Sequence, residues 1–185
     1  MAVDHMSASP SSFVTEWIST LTVPASRPQK ALDVAMGRGR HALVLARHGF
    51  QTFGVDMSRD AVKDAMDAAA REGLRIRGWC ADLTVARLPT RVFDLVVVTR
   101  YLQRDLFPSL KESLRAGGCV IYETFTVAQR ELGTGPTSPD HLLRPSELLM
   151  VFDEWDVMFY DERVDVEGDR LVAVARLVAQ RPFRS

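Results

Sequence analysis

The sequence predicts a doubly wound α/β domain whose mostly parallel, seven-stranded sheet carries one reversed strand at its C-terminal end. Three observations predict it. Residues 30–56, KALDVAMGRGRHALVLARHGFQTFGVD, read as strand, glycine turn, helix, strand and acid, the first half of a nucleotide-binding sheet. Phe93 to Thr99, FDLVVVT, is the uninterrupted apolar run expected of a parallel strand covered by helices on both faces. The last two strand patterns, Trp155 to Tyr160 and Leu171 to Val178, are separated by about ten residues that include Glu167-Gly168-Asp169. A crossover helix needs a dozen or more residues, so this pair is antiparallel if adjacent.

The elements follow in order. Residues 1–11 are small and polar and contain Ser and Pro, the composition of a mobile tail, and residues 12–185 are expected to form one domain. Phe13, Trp17 and Leu21 sit at helical spacing, which predicts a short amphipathic helix over 12–21. It either packs on the sheet or closes over the ligand pocket. Strand one ends at Asp33 and Ala35, a helix runs from Arg40 to His48, and strand two, Phe53 to Val55, ends in Asp56. Ser58 is the N-cap and Asp60 the first-turn acid of an alanine-rich helix that stops at Gly73, in keeping with capping preferences. Leu74 to Trp79 is strand three. After strand four, Leu106, Phe107, Leu110 and Leu114 form a helical stripe ended by Gly117-Gly118,. Cys119 to Thr124 is strand five. Residues 125–144 form a long irregular connection and candidate lid, and Pro145 opens a helix that reaches Phe152.

Composition narrows the function. The chain has 185 residues, enough for one full core, and a net charge of −1, so no global basic field suggests nucleic acid. No apolar run approaches the ~20 residues of a membrane span, and MAVDHMSASPSS lacks the apolar centre of a signal peptide. Cytoplasm is the expected location. Cys80 and Cys119 have no metal-binding spacing and are expected to be inert and buried.

The chemistry-bearing stretch is the glycine turn. Gly37 and Gly39 let the backbone approach a ligand closely. Asp56, 19 positions after Gly37, stands where a carboxylate accepts from ribose hydroxyls. By itself the turn also fits the dinucleotide fingerprint G-x-G-x-x-A, so NAD(P) and another adenosyl ligand both stay open at this point.

Four motifs in order resolve this by resemblance. LDVAMGRGRHALVLARHGF with GVDMS, CADL, FDLVVVTRYL and LRAGGCVIYETF resemble the motifs of class I S-adenosylmethionine (SAM) dependent methyltransferases over roughly 30–180. The GRGRH loop, TRYLQRDLFPSL and YETF…HLLRPSEL look like the small bacterial methyltransferases of the tellurite-resistance type. Ala35 departs from the glycine most often found there. The resemblance implies a Rossmann-like methyltransferase fold and SAM as cofactor.

It also implies roles. Asp33 would meet the amino-acid end of SAM or serve as a turn acceptor. Ala35, Gly37 and Gly39 would lie against its methionyl part and Asp56 against its ribose. Met57 would pack on adenine, Asp82 would accept from its amine, and Ala81 and Leu83 would frame the ring. The Thr99 carbonyl would meet the amino group. Arg100 and Tyr101 would stand where donor and acceptor meet. Arg38, Arg40 and His41 open a helix, where cations are disfavoured; they are either solvated or face an anion, with Arg40 a cofactor candidate. Arg100, Arg104, His141 and Arg144 are candidates for an electropositive pocket. Glu123 would act as base or orient the acceptor. The expected activity is methyl transfer to a small-molecule, anionic acceptor of the oxyanion or carboxylate type. The alternatives are a SAM-binding sensor or assembly module without turnover, and an NAD(P)-dependent oxidoreductase.

Overall fold

The structure, a computed structural model, describes residues 9–21 and 27–183. Most of the expected tail, residues 1–8, lies outside them. The strands are β1 (Lys30–Val34), β2 (Gln51–Asp56), β3 (Ile76–Cys80), β4 (Phe93–Thr99), β5 (Leu114–Phe125), β6 (Asp156–Glu167) and β7 (Arg170–Gln180). They form one seven-stranded sheet in the order β3-β2-β1-β4-β5-β7-β6. β7 runs antiparallel to both β5 and β6, and the pairs among β1 to β5 are parallel. The chain order reverses between β1 and β4, which opens a crevice beyond their carboxyl ends, the usual ligand site of such sheets.

Alternation along the strands sends side chains to two cores. On one face α1 (Ser12–Leu21) and α2 (Arg40–Arg47) bury Phe13, Ile18, Val44 and Leu45 against Ala31, Val97 and Ile121. The helix α3 (Arg59–Arg71) packs beside them through Val62 and Ala65. On the other face α4 (Phe107–Ser113) and α5 (Glu147–Val151) cover Leu32, Val96, Val98 and Tyr122 with Phe107, Leu110 and Leu148. The first helix therefore packs on the sheet, the first of its two expected readings. β4 is buried along nearly all its length, as its unbroken apolar run predicted.

Several boundaries differ from expectation, among them β3, which runs Ile76–Cys80, and α5, which starts at Glu147 and not at Pro145. The Leu106 to Leu114 stripe is not one helix: Arg104–Leu106 is a 3-10 turn, α4 ends at Ser113, and Leu114 begins β5. The Glu112 and Ser113 carbonyls accept from the Arg91 and Val92 amides, and the Arg181 guanidinium takes those of Lys111 and Leu114. These long-range partners end the helix before Gly117. The connection expected between β6 and β7 is itself strand, closing in a tight turn where Gly168 takes φ 65°. The 125–144 connection is tied down. Gln129 is buried, its amide nitrogen donates to the Thr134 carbonyl at 2.8 Å, and its oxygen accepts from Ala173 N at 2.7 Å. Cys119 is buried as expected, but Cys80 is exposed at the end of β3.

Candidate functional site

The crevice begins with the loop after β1. Ala35, Gly37 and Gly39 all adopt left-handed φ, 53°, 53° and 79°. For an alanine that conformation costs about 1–2 kcal/mol, so the chain retains the backbone path of a glycine at position 35. A Cβ on Gly37 would project into open space with nothing within 4 Å. One on Gly39 would lie 2.6 Å from the Ala65 Cβ, so Gly39 is required by helix packing and Gly37 faces outward.

Two aspartates hold this loop. Asp56 accepts from Gly37 N at 2.8 Å through one oxygen and from Ser58 N at 2.9 Å through the other. Each oxygen keeps a second lone pair for an incoming hydroxyl. Asp33 is fully buried; its Oδ2 accepts from Ala42 N at 2.9 Å, in the first turn of α2, and its Oδ1 has no partner. Burial pushes the Asp33 carboxyl up to about 7, against the Ala42 hydrogen bond and the Arg40 charge. One Asp33 oxygen is thus spent on the start of α2 and the other is not.

Around the ends of β2 and β3, Met57 is 73% exposed and Leu83 buried, with Ala81 half-buried between the two strand ends. An exposed methionine next to Asp56 is an apolar face without a neighbour. Asp82 caps its own turn, with Oδ1 accepting from the Thr84 amide at 2.9 Å and hydroxyl at 2.7 Å. The Tyr101 phenol, half-buried after β4, is pushed up by burial and by the Asp82 and Asp56 carboxylates.

At the end of β4 lies a constellation that the sequence did not assemble. Thr99 Oγ1 and His41 Nδ1 are 3.1 Å apart, and His41 Nε2 accepts from Ser11 N at 3.0 Å. Since Nε2 is an acceptor, the proton sits on Nδ1 and points at Thr99. Burial and the Arg40 and Arg100 charges push the imidazole down to about 3. A neutral histidine carries no penalty at a helix N-terminus, which answers the oddity of His41. Arg38 is solvated and lies 3.4 Å from Asp64.

Arg100 adopts φ 54°, a left-handed strain placed at the crevice. Its side chain is 4% exposed, 2.9 Å from Glu167 and 3.7 Å from Glu123. Its guanidinium stacks over Phe125 at 4.5 Å, while Nη1 has no partner. Glu123, 1% exposed, binds Arg176 at 2.7 Å and accepts from Ser11 Oγ at 3.2 Å; its Oε1 has no hydrogen-bond partner. Arg40 donates to the Ser9 carbonyl at 3.1 Å and lies 4.0 Å from Glu167. The expected pocket of Arg100, Arg104, His141 and Arg144 does not form. Glu147 takes Arg104 through two bonds of 2.6 and 2.9 Å, and His141 and Arg144 are exposed. In its place Arg40, Arg100 and Arg176 gather with Glu123, Asp165 and Glu167. Arg176 had a legible signal, a lone charge inside the apolar strand LVAVARLVAQ, which needs a buried partner. Ser11 and Glu167 had none.

Among the described residues no group of three or more His, Cys, Asp or Glu side chains could hold a metal ion, and no helix is long and apolar enough to cross a membrane.

Residues 31–118 match the family described as "Methyltransferase domain". The chain is 30% identical over 145 residues to hemagglutinin 1 of Eikenella corrodens, covering 74% of this chain and 47% of that protein. It is 34% identical over 116 residues to ribosomal RNA small subunit methyltransferase C of Alcanivorax borkumensis, covering 57% and 34%. The chain thus spans less than half the length of these two relatives. The crystal structure of TehB from Haemophilus influenzae superposes with a TM-score of 0.79 at 17% identity, over 95% of this chain and 63% of that one.

Proposed function

We propose that this chain, whose residues 31–118 match the methyltransferase-domain family and whose fold superposes on that of TehB, is a class I SAM-dependent enzyme that methylates a small molecule bearing an anionic group. The observation that carries the proposal is the Asp33 carboxylate, buried at the switch point with one oxygen unpartnered, below a left-handed loop whose Gly37 opens onto free space. A cationic amine answers that oxygen, and SAM presents one.

SAM supplies, when bound, a methyl group already activated by the sulfonium. The residues of the chain hold, orient and exclude water, a contribution of roughly 7–11 kcal/mol in favourable cases. Asp56 holds the ribose. Met57, Ala81 and Leu83 would frame adenine, and the Asp82 oxygen not used by Thr84 would accept from its amine. The loop of Ala35, Gly37 and Gly39 takes the methionyl stem. Asp33 and the Thr99 carbonyl take the ammonium, and the His41 contact fixes the Thr99 side chain. Tyr101 borders the adenosyl side. Arg40, Arg100 and Glu123 face the acceptor. Arg104 acts through Glu147, fixing the segment at 139–147, and is a positioning residue. A net charge of −1 favours a small acceptor over RNA, despite the relative named for ribosomal RNA.

Calorimetric titration with SAM, S-adenosylhomocysteine and NAD(P) tests the ligand class. The adenosyl sulfur compounds bind, and Asp56→Ala weakens them by about 1–3 kcal/mol, the loss of charge-assisted hydrogen bonds. Binding of NAD(P) alone overturns the reading. Methyl release to a panel of small acceptors separates an enzyme from a SAM-binding sensor.

A further inference from the structure

The turn between β6 and β7 reaches back over the carboxyl edge of the sheet and places one carboxylate on the crevice arginines. Glu167 lies 2.9 Å from Arg100 and 4.0 Å from Arg40. It is the most exposed member of this group of three, at 28% against 4% for Arg100 and 17% for Arg40. The flanking Gly168 is in the left-handed region, with open space around it. A cavity of about 250 Å³ lies between this turn, Ser11 and the ends of β4, β5 and β7, and Arg100, Glu123 and Arg176 line it. Arg100 Nη1 is buried beside it without a partner.

The charges here are unevenly committed. Arg176 is held by Glu123 and Asp165, both at 2.7 Å. Arg40 and Arg100 repel one another across a desolvated space, and Glu167 is what offsets this: burial pushes the Arg40 guanidinium down, Glu167 pushes it up and Arg100 pushes it down. Without Glu167, the two guanidiniums keep the weaker influence of Asp33 and Glu123 on Arg40 and the more distant Glu123 carboxylate 3.7 Å from Arg100. A carboxylate on a turn tip is an internal ligand that a diffusible anion can replace with no change in net charge. The replacement also offers the partnerless Nη1 an acceptor, because a guanidinium fork engages carboxylates in pairs.

We propose that Glu167 is a displaceable stand-in for a ligand anion: Arg40 and Arg100 form a carboxylate or oxyanion seat, which the β6–β7 turn fills until a ligand takes its place. This rests on the SAM-binding reading of the same crevice. The seated anion has two possible sources, the carboxylate of the cofactor and an anionic group of the acceptor.

Glu167→Gln, on a part-exposed turn, keeps the shape and removes the charge. Binding of three probes is measured without turnover: S-adenosylhomocysteine, 5′-methylthioadenosine, which lacks the amino-acid end, and malonate added to protein saturated with S-adenosylhomocysteine. An internal competitor of this exposure holds back its rival by about three- to tenfold. If E167Q tightens S-adenosylhomocysteine by that factor and leaves 5′-methylthioadenosine unchanged, the seat takes the cofactor's carboxylate. If only malonate tightens, it takes the acceptor's anion. Arg100→Gln abolishes whichever gain is seen. Unchanged or weaker binding of all three probes in a folded E167Q overturns the proposal while leaving SAM binding intact. Failure of the unaltered protein to bind either adenosyl probe instead defeats the underlying reading.

Discussion

At the scale of single residues, Asp33 has a consequence for pH. Its ordinary value is 3.8 and burial lifts it to about 7 in the fold. Between those values the folded state holds a proton that the unfolded chain has released. Stability from this group therefore falls as pH rises from about 4 to 7 and is level above that. An ammonium brought to Oδ1 favours the ionised form and reverses the preference. SAM affinity should accordingly rise between pH 5 and 7, approaching tenfold per unit at the lower end. Asp33→Asn should flatten that profile and raise the thermal midpoint of the unliganded protein at pH 8. Titration calorimetry at four pH values checks the first, and a melting scan checks the second. A slope that survives the substitution would assign the dependence to another group.

At the scale of elements, the glycine turn does two jobs that substitution can separate. Gly37→Ala meets no atom but must hold φ 53°, at about 1–2 kcal/mol; its Cβ points into the space assigned to the cofactor. Gly39→Ala must hold φ 79° and also push against Ala65, where overpacking adds about 1–3 kcal/mol. Gly37→Ala should therefore lose SAM binding with a modest fall in denaturation midpoint, and Gly39→Ala should show the larger fall. Urea melts and titrations on both variants decide it. The same turn explains what was legible in the sequence. Its glycines, the acid ending β2 and the Ser58 cap, which accepts from Ala61 N at 3.2 Å, are local signals, each set by neighbours within a few positions. The arginine cluster was not legible because its partners are distant: Glu123 meets Arg176 across 53 residues and Ser11 across 112. The pairing of Arg104 was not legible for the same reason, since Glu147 meets it across 43 residues. The end of α4 was misjudged because Gly117-Gly118 is a strong local stop, while the Arg181 contacts that act sooner are 67 and 70 residues away.

At the scale of the whole molecule, the parallel part of the sheet and the reversed hairpin meet at β5 and β7, which pair from Cys119 opposite Gln180 to Phe125 opposite Val174. Within that seam Glu123 stands opposite Arg176, and both side chains are buried, at 1% and 7% exposure. Arg176 continues to Asp165 on β6, so one charge relay ties the β4–β5 edge to the hairpin that carries Glu167. Losing one member leaves the other desolvated, at about 3–5 kcal/mol for a buried pair broken on one side. The two single changes are not equivalent. Glu123→Gln leaves Arg176 with Asp165 at 2.7 Å. Arg176→Met leaves Glu123 with the Ser11 hydroxyl and an Arg100 nitrogen 3.7 Å away, and should cost more. The double variant removes both charges and should recover much of the loss, because replacing a buried pair by neutral groups of similar volume is often close to neutral. A urea double-mutant cycle should return a coupling well above the ~0.5 kcal/mol scatter of independent sites. Additive losses would mean that β-pairing alone joins the hairpin to the sheet, and that the crevice arginines are held from the parallel side only.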